Sequence, residues 1–188
     1  MVSNKTFLLL FLICIFGCSN DDDKSSNPVD KLPPATQTGQ GTFACLVDGK
    51  PFIDNSGSPN NLNFNCFYQY VDGGYYFNVK GKDEDFEYTN TPRSIALGTI
   101  NRTISEGETF QLLEESEGNA IGGGGFTFTP LDIQSVYTTA EYTGELHITK
   151  FDLEKQIVSG TFWFDLKNPK TGETVEIREG RFDTNFGL

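Results

Sequence analysis

The sequence is poor in the residues that build most metal and nucleic-acid sites. Its 188 residues include one His, one Trp, one Met and four Cys. A single His without a Cys/His cluster excludes the common zinc-site spacings. Lys and Arg number 14 against 26 Asp and Glu, which gives a net charge of −12. This acidic balance argues against nucleic acid and anionic lipid headgroups as partners.

The composition favours a β-rich fold. Aromatic residues make up 13% of the chain and Gly contributes 20 residues, which is typical of strands joined by many turns. The length fits one domain with an additional segment. The longest apolar run, residues 7–16, has ten residues and falls short of the about 20 that a membrane-spanning helix needs.

The first residues of the chain have the layout of a secretion signal. Lys5 precedes the apolar run, and Gly17 and Cys18 follow it, as in a secretory signal peptide. The segment Ile15 to Cys18 resembles a bacterial lipobox, although that pattern prefers a small residue where Phe16 stands. We therefore predict a signal peptide over residues 1–17 and a lipid anchor on Cys18. The alternatives are an ordinary secretory signal and a short anchor.

An acidic cluster and a polar segment follow Cys18. Residues 21–23 are three consecutive Asp, and this cluster resembles the export signal of surface lipoproteins in Bacteroidetes-type bacteria. We expect an outer-membrane protein, at the cell surface rather than facing the periplasm. The alternative is that the charge belongs to a solvated tether. Residues 18–40 are rich in polar residues and Pro, which predicts a disordered tether, and residues 41–188 form the domain.

Alternating apolar side chains dominate residues 41–188. Such alternation is seen in residues 41–47, 62–70, 145–149 and 158–166, and turn residues recur every 8 to 12 positions. No segment has a sustained helical period. The pattern predicts an all-β, antiparallel β-sandwich of about ten short strands. A closed or flattened β-barrel is the alternative.

Four segments resemble a family of small Bacteroidetes-type lipoproteins whose domain has no known function. They are GTFACLVDGK at 41–50, TGELHITKFD at 143–152, SGTFWFD at 159–165 and VEIREGRFD at 175–183. The resemblance implies an all-β domain on a lipid tether. It supplies no catalytic residues, and so no activity. The Gly of the third segment, Gly160, is expected to permit a bulge or a close backbone approach, and Gly180 to do the same in the last strand.

Cys45 and Cys66 are the two thiols of the predicted domain. Both fall on the apolar side of their predicted strands. Because exported proteins reside in oxidising compartments, a disulfide between them is the expected state. The alternative is two buried free thiols.

Trp163 is the main candidate for ligand binding. Its neighbours Phe162 and Phe164 are expected to point into the core, so Trp163 is expected on the other face of the sheet. There it could stack on a sugar ring or a partner side chain, with Tyr76 or Phe67 nearby. The alternative is that a loop covers it or that it packs beneath a second layer.

The other polar features carry weaker signals. A lone His147 has no catalytic motif beside it. The acidic groups 83–85 with Glu87, and 114–117, lack calcium-loop spacing. Gly122 to Gly125 lacks the Lys of a phosphate loop. We therefore expect no catalytic residues, metal or cofactor, and predict a non-enzymatic module that binds or scaffolds at the envelope, with a glycan or envelope protein as partner. A barrel-type carrier of an apolar molecule and a carboxylate-dependent hydrolase are the alternatives.

Overall fold

The computed structural model describes residues 27–56, 66–85 and 91–188. A short 3-10 helix precedes eleven strands in this part of the chain. The helix is Pro28–Lys31, and the strands are β1 Thr42–Val47, β2 Lys50–Ile53, β3 Cys66–Val71, β4 Gly74–Lys82, β5 Pro92–Thr99, β6 Thr109–Leu112, β7 Ala120–Thr129, β8 Asp132–Tyr137, β9 Gly144–Asp152, β10 Ile157–Lys167 and β11 Thr174–Asn185. Among these residues, no helix has the length and apolar character needed to span a membrane.

All eleven strands belong to one sheet. The order is β2-β1-β11-β10-β9-β6-β7-β5-β4-β3, with β8 paired to β7. Neighbouring strands run antiparallel apart from β6 and β7. The all-β prediction is confirmed. The closed-barrel alternative is wrong because the sheet is open, with β2 and β3 at the two ends of its path.

The sheet folds onto itself around a single apolar core. Inward side chains from both halves belong to one buried cluster, including Phe43 of β1, Phe77 of β4 and Phe164 of β10. A methyl group placed on Gly81 of β4 would lie 2.3 Å from the Phe43 ring. Strands from opposite ends of the sheet therefore face each other across the core, as in a sandwich.

The run of four glycines lies in β7 and makes room for core side chains. A Cβ at Gly122 would lie 3.2 Å from the Phe164 ring, and one at Gly124 would lie 2.7 Å from Leu166. Two other glycines act as the sequence predicts. A Cβ on Gly160 would meet the carbonyl oxygen of His147 at 2.6 Å, and one on Gly180 would meet the Phe162 ring at 2.4 Å.

The predicted disulfide is absent. Cys45 and Cys66 are both free and buried. Cys45 lies on β1 and Cys66 on β3. Both belong to the same apolar core cluster and are not bonded to each other. A free thiol packs in such a core as a small apolar side chain. Burial raises the pKa of both thiols far above the ordinary value, with a further increase at Cys45 from the Asp83 carboxylate.

The segment before β1 lies against the sheet. Residues 28–40, the N-terminal arm, are predicted to be part of a disordered tether, and here the structure differs. Leu32 is buried with Ala44 and Leu46 of β1, so β1 is covered on both faces. The arm is ordered because it buries apolar surface that the alternation of β1 leaves on its outer side.

Candidate ligand groove at Trp163

Trp163 projects from the outer face of the sheet. It lies on β10, between β9 and β11. Phe162 and Phe164 are buried, whereas Trp163 is 41% exposed. This is the orientation that the alternation predicts, because neighbouring side chains of a strand point to opposite faces. A large aromatic ring is thereby held in water by a rigid central strand.

A groove of about 450 Å³ runs beside this ring. We call it the Trp163 groove. Residues of β9, β10 and β11 form most of it, and the N-terminal arm contributes Ala35. Its lining comprises Ala35, Glu145, Thr161, Phe162, Trp163, Arg178, Glu179, Gly180 and Arg181. The volume lies within the range of small-molecule sites.

Arg178 is fixed beside the indole. Its guanidinium carbon lies 5.6 Å from the centroid of the Trp163 ring, within cation–π range. Its Nη1 donates to the carbonyl oxygens of Phe164 at 3.1 Å and Ile177 at 2.9 Å. Its Nη2 lies 2.7 Å from Asp165 Oδ1 and donates to Glu176 Oε1 at 3.1 Å. The side chain is therefore held by backbone as well as by carboxylates.

A β-bulge in β11 adds a second residue opposite the indole. On β10, Phe162 pairs with Gly180 but Phe164 pairs with Ile177, so Trp163 lies opposite two residues, Arg178 and Glu179. The pairing with β1 shifts at the same place. Glu179 has a φ of +54°, a left-handed conformation that is costly for a residue with a side chain. Bulges of this kind re-aim side chains next to functional sites.

The groove carries both hydrogen-bond donors and acceptors. The Glu145 and Glu179 carboxylates and the Arg178 and Arg181 guanidinium groups line it. Arg181 is itself 3.5 Å from the Glu179 carboxylate. The two signs of charge therefore balance within the groove. Such a surface, with an apolar ring and flanking polar groups, suits a ligand with a flat apolar face and a rim of hydroxyl groups.

Tyr76 and Phe67 do not join this groove. Tyr76 lies on β4 and Phe67 on β3, at the other end of the sheet path. In the antiparallel pair, Tyr76 is opposite Gln69 and Phe67 is opposite Asn78. Both rings are half-buried. The structure therefore leaves Trp163 as the aromatic platform of the groove and places the other two candidates on a separate surface.

The polar residues with weaker signals in the sequence make ordinary structural contacts or are exposed. His147 Nδ1 lies 2.9 Å from Thr109 Oγ1 on the neighbouring strand. Asp83 accepts hydrogen bonds from the Ile53 and Asp85 amides and from Asn55 Nδ2. Residues 114, 115 and 117 are exposed acids. Cys18 and Glu87 lie outside the described residues. Within the described ranges, no group of three or more His, Cys, Asp or Glu side chains is arranged to hold a metal.

Sequence reasoning missed Arg178 and Asp183. Alternation from Val175 and Ile177 puts Arg178 on the outer face, but only the pairing of Phe164 with Ile177 shows that Arg178 lies next to Trp163. Asp183 is buried, and its partners belong to the N-terminal arm and to Ser159. A signal was present in β1: its outward Ala44 and Leu46 are apolar, which indicates that another segment covers them.

Comparison with known proteins adds a family match. Residues 96–184 match the model of a family described as Domain of unknown function (DUF6252). No curated protein and no solved structure matches the chain. The matched segment includes Trp163, Arg178 and Asp183 but stops short of the N-terminal arm. Over residues 96–184, the chain is therefore similar to a family of domains whose function is unknown.

Proposed function

We propose that this protein is a non-enzymatic, lipid-anchored envelope protein whose β-domain binds a glycan in the Trp163 groove. One observation carries the proposal: an exposed indole, backed by a fixed arginine, lies in a groove with balanced polar groups. The ring offers a flat apolar face to a sugar. The carboxylates and guanidinium groups around it offer hydrogen bonds to hydroxyls.

The charge balance of the groove favours a neutral glycan. Arg178 contacts Asp165 and Glu176, and Arg181 contacts Glu179. A charged ligand would have to displace these partners, whereas a hydroxyl can share them, since each guanidinium has several N–H donors. The acidic character of the whole chain adds repulsion toward polyanionic glycans.

The proposed anchor depends on the first residues of the chain. The run of residues 7–16, the lipobox-like Cys18 and the three Asp that follow support export, lipidation and display at the outer surface of the outer membrane. Several acyl chains on one Cys hold a protein firmly, since each buried CH₂ contributes about 0.8 kcal/mol.

Anchoring and display are tested in cells. We expect radiolabelled palmitate to label the full-length protein and not the Cys18→Ala variant. External protease should remove an epitope tag at the C-terminus while periplasmic controls stay intact. A protein that takes up no lipid would overturn the anchor, and complete protection of the tag would overturn surface display.

Glycan binding is tested on an array of neutral and charged glycans. The wild type and Trp163→Ala are compared, with Tyr70→Ala as the matched control. Tyr70 is an aromatic residue that is 64% exposed and lies on β3, away from the groove. We expect neutral glycans to bind the wild type and the control but not Trp163→Ala. Equal binding by all three proteins would overturn the assignment of the site.

The alternative function, a barrel-type carrier of an apolar molecule, is not proposed, because the sheet is open and its interior side chains form one packed cluster.

A further inference from the structure

The N-terminal arm crosses the outer face of the sheet toward the Trp163 groove. It begins near β2 with the helix Pro28–Lys31. Val29 and Leu32 then pack against Ala44 and Leu46 of β1. The carbonyl oxygen of Pro33 accepts a hydrogen bond from Arg181 Nη1 of β11 at 3.5 Å. The next contact of the arm is with the groove itself, where Ala35 forms part of the lining.

Asp183 holds the arm on the far side of Ala35. Its carboxylate accepts hydrogen bonds from Thr36 Oγ1 at 2.6 Å and from the amides of Thr38 at 3.0 Å, Gly39 at 2.7 Å and Gln40 at 3.2 Å. From β10, Ser159 Oγ donates to the same carboxylate at 2.8 Å. Asp183 is only 1% exposed. A buried carboxylate is retained at such a position when donors surround it, as they do here.

The position of Ala35 follows from these two attachments. Leu32 is fixed by apolar packing on β1, and Thr36 is fixed by Asp183 on β11. The three residues between them have little freedom, so Ala35 is held at the rim of the groove. Arg181 links the arm to the groove, because it contacts Pro33 and also lines the groove beside Glu179.

We propose that the N-terminal arm is a movable wall of the glycan site and that Asp183 is the residue that positions it. The site is complete only while the arm is docked. This inference rests on the proposed function of the Trp163 groove. It adds that binding and docking of the arm are linked: a ligand that contacts the docked arm stabilises docking, and release of the arm weakens the ligand by the same factor.

The linkage also concerns the segment that precedes the arm. The arm continues directly into the residues that follow the proposed lipid anchor on Cys18. A pull on that segment would act first on the packing of Val29 and Leu32 against β1 and then on the Asp183 hydrogen bonds, because these contacts follow one another along the arm. Occupancy of the groove would then resist the pull.

The test uses the full chain in detergent and three variants. Asp183→Asn replaces an acceptor oxygen by an amide NH₂ that faces donors. Thr36→Ala removes one hydrogen bond and spares the buried carboxylate. Asp72→Asn is the matched control, since Asp72 lies in the turn between β3 and β4 with a φ of +48°, which Asn tolerates. Hydrogen exchange at residues 36–40 reports arm docking, and acrylamide quenching of the single Trp reports access to the groove.

We expect exchange at residues 38–40 to rise about tenfold or more in Asp183→Asn, since the substitution removes the charge-assisted hydrogen bonds of three backbone amides. Quenching of Trp163 should increase in the same variant. Thr36→Ala should change both in the same direction by less, and Asp72→Asn should change neither. Release of the arm without any change in the quenching of Trp163 would overturn the proposal that the arm is a wall of the groove. An arm that stays protected would overturn the role of Asp183.

Ligand affinity separates this inference from the proposed function. If a neutral glycan binds the wild type, its affinity should fall at least about fivefold in Asp183→Asn and less in Thr36→Ala. Unchanged affinity with a released arm would overturn the inference and leave the glycan site intact. If no glycan binds the wild type, the proposed function fails, and quenching alone decides whether the arm is a wall of the groove. Should Asp183→Asn not fold, Thr36→Ala gives the same readings.

Discussion

The guanidinium of Arg178 lies 5.6 Å from the centroid of the Trp163 ring, on the outer face of the sheet. The pairing of Phe164 with Ile177 puts Arg178 next to Trp163, and the bulge that follows adds Glu179 opposite the same indole. The bulge therefore brings a second polar side chain, a carboxylate, to the groove. The core beneath it stays regular, since Phe162, Phe164 and Ile177 remain buried.

Replacing Arg178 by Lys should destabilise the domain by about 1–2 kcal/mol. Both side chains are cations, but an ammonium group cannot reach the carbonyl oxygens of Phe164 and Ile177 together with two carboxylates. We expect a lower unfolding midpoint in urea and a shifted emission maximum of the single Trp. Lys155→Met is the control, because Lys155 is exposed and its ion pair with Asp152 spans 4.0 Å. Unchanged emission in Arg178→Lys would show that the two side chains do not interact in solution.

Glu179 gives a test of the bulge. Its φ of +54° suits Gly better than any residue with a Cβ. Glu179→Gly and Glu179→Ala both remove the carboxylate, so they should lose glycan affinity equally. The Gly variant should be more stable than the Ala variant by about 1 kcal/mol in urea unfolding, because Ala retains the left-handed cost. If Ala proves the more stable of the two, the backbone at this position is not left-handed and the bulge is misassigned.

The part of the fold that sequence predicts is the part governed by regular alternation. Phe162, Trp163 and Phe164 alternate in burial as a strand requires, and Gly160 and Gly180 lie where large side chains or backbone approach. The Trp163 groove depends in addition on the pairing between strands. Alternation places Arg178 on the outer face, but its position next to Trp163 and the bulge that adds Glu179 are revealed only by the pairing of β10 and β11.

Contacts between residues far apart in the sequence likewise cannot be predicted from the alternation of apolar residues. The disulfide between Cys45 and Cys66 is predicted from the oxidising compartment of an exported protein. The apolar pattern of their strands only places the two thiols in the core, and it does not show whether they are bonded. The N-terminal arm was expected to be disordered from its polar composition. The arm is ordered by a few contacts: Leu32 packs on β1, and four donors of the arm bind the Asp183 carboxylate. Amino-acid composition does not reveal such contacts.

Because the Asp183 carboxylate holds the N-terminal arm, we expect the arm to be released from the sheet in acid. Burial raises the pKa of Asp183, but the hydrogen bonds from Thr36, Thr38, Gly39 and Ser159 outweigh burial and lower the pKa from 3.8 to about 2. A carboxyl group whose pKa falls on folding stabilises the folded state above its unfolded pKa, and this contribution disappears as the pH falls through the folded value. We expect exchange at residues 38–40 to rise between about pH 4 and pH 2.

The control for this acid transition is Asp183→Asn, which has no carboxyl group to titrate at this position. Its exchange at residues 38–40 should already be fast at pH 7 and should show no such step. Its free energy of unfolding at pH 7 should be lower by about 2 kcal/mol. A step of the same size in the variant would assign the transition to another group.

The two buried thiols should be unreactive in the native protein. Their pKa values are raised by burial, and the thiolate is the reactive form. We expect peptides containing Cys45 and Cys66 to carry no alkylating agent after native treatment and to be fully alkylated after denaturation without a reductant. The unfolding midpoint should not depend on reductant. A disulfide-linked peptide pair with a midpoint that falls on reduction would contradict the free thiols described for the core.

The most direct measurement is a titration of the wild-type protein with neutral glycans, followed by the fluorescence of its single Trp. Trp163 is the only Trp in the sequence, so every change in emission reports the groove. We expect a saturable change with at least one neutral glycan, retained in Tyr70→Ala, and loss of that glycan's binding heat in Trp163→Ala by calorimetry. No change with any glycan, or equal binding heat in Trp163→Ala, would contradict the claim that this groove is a glycan-binding site.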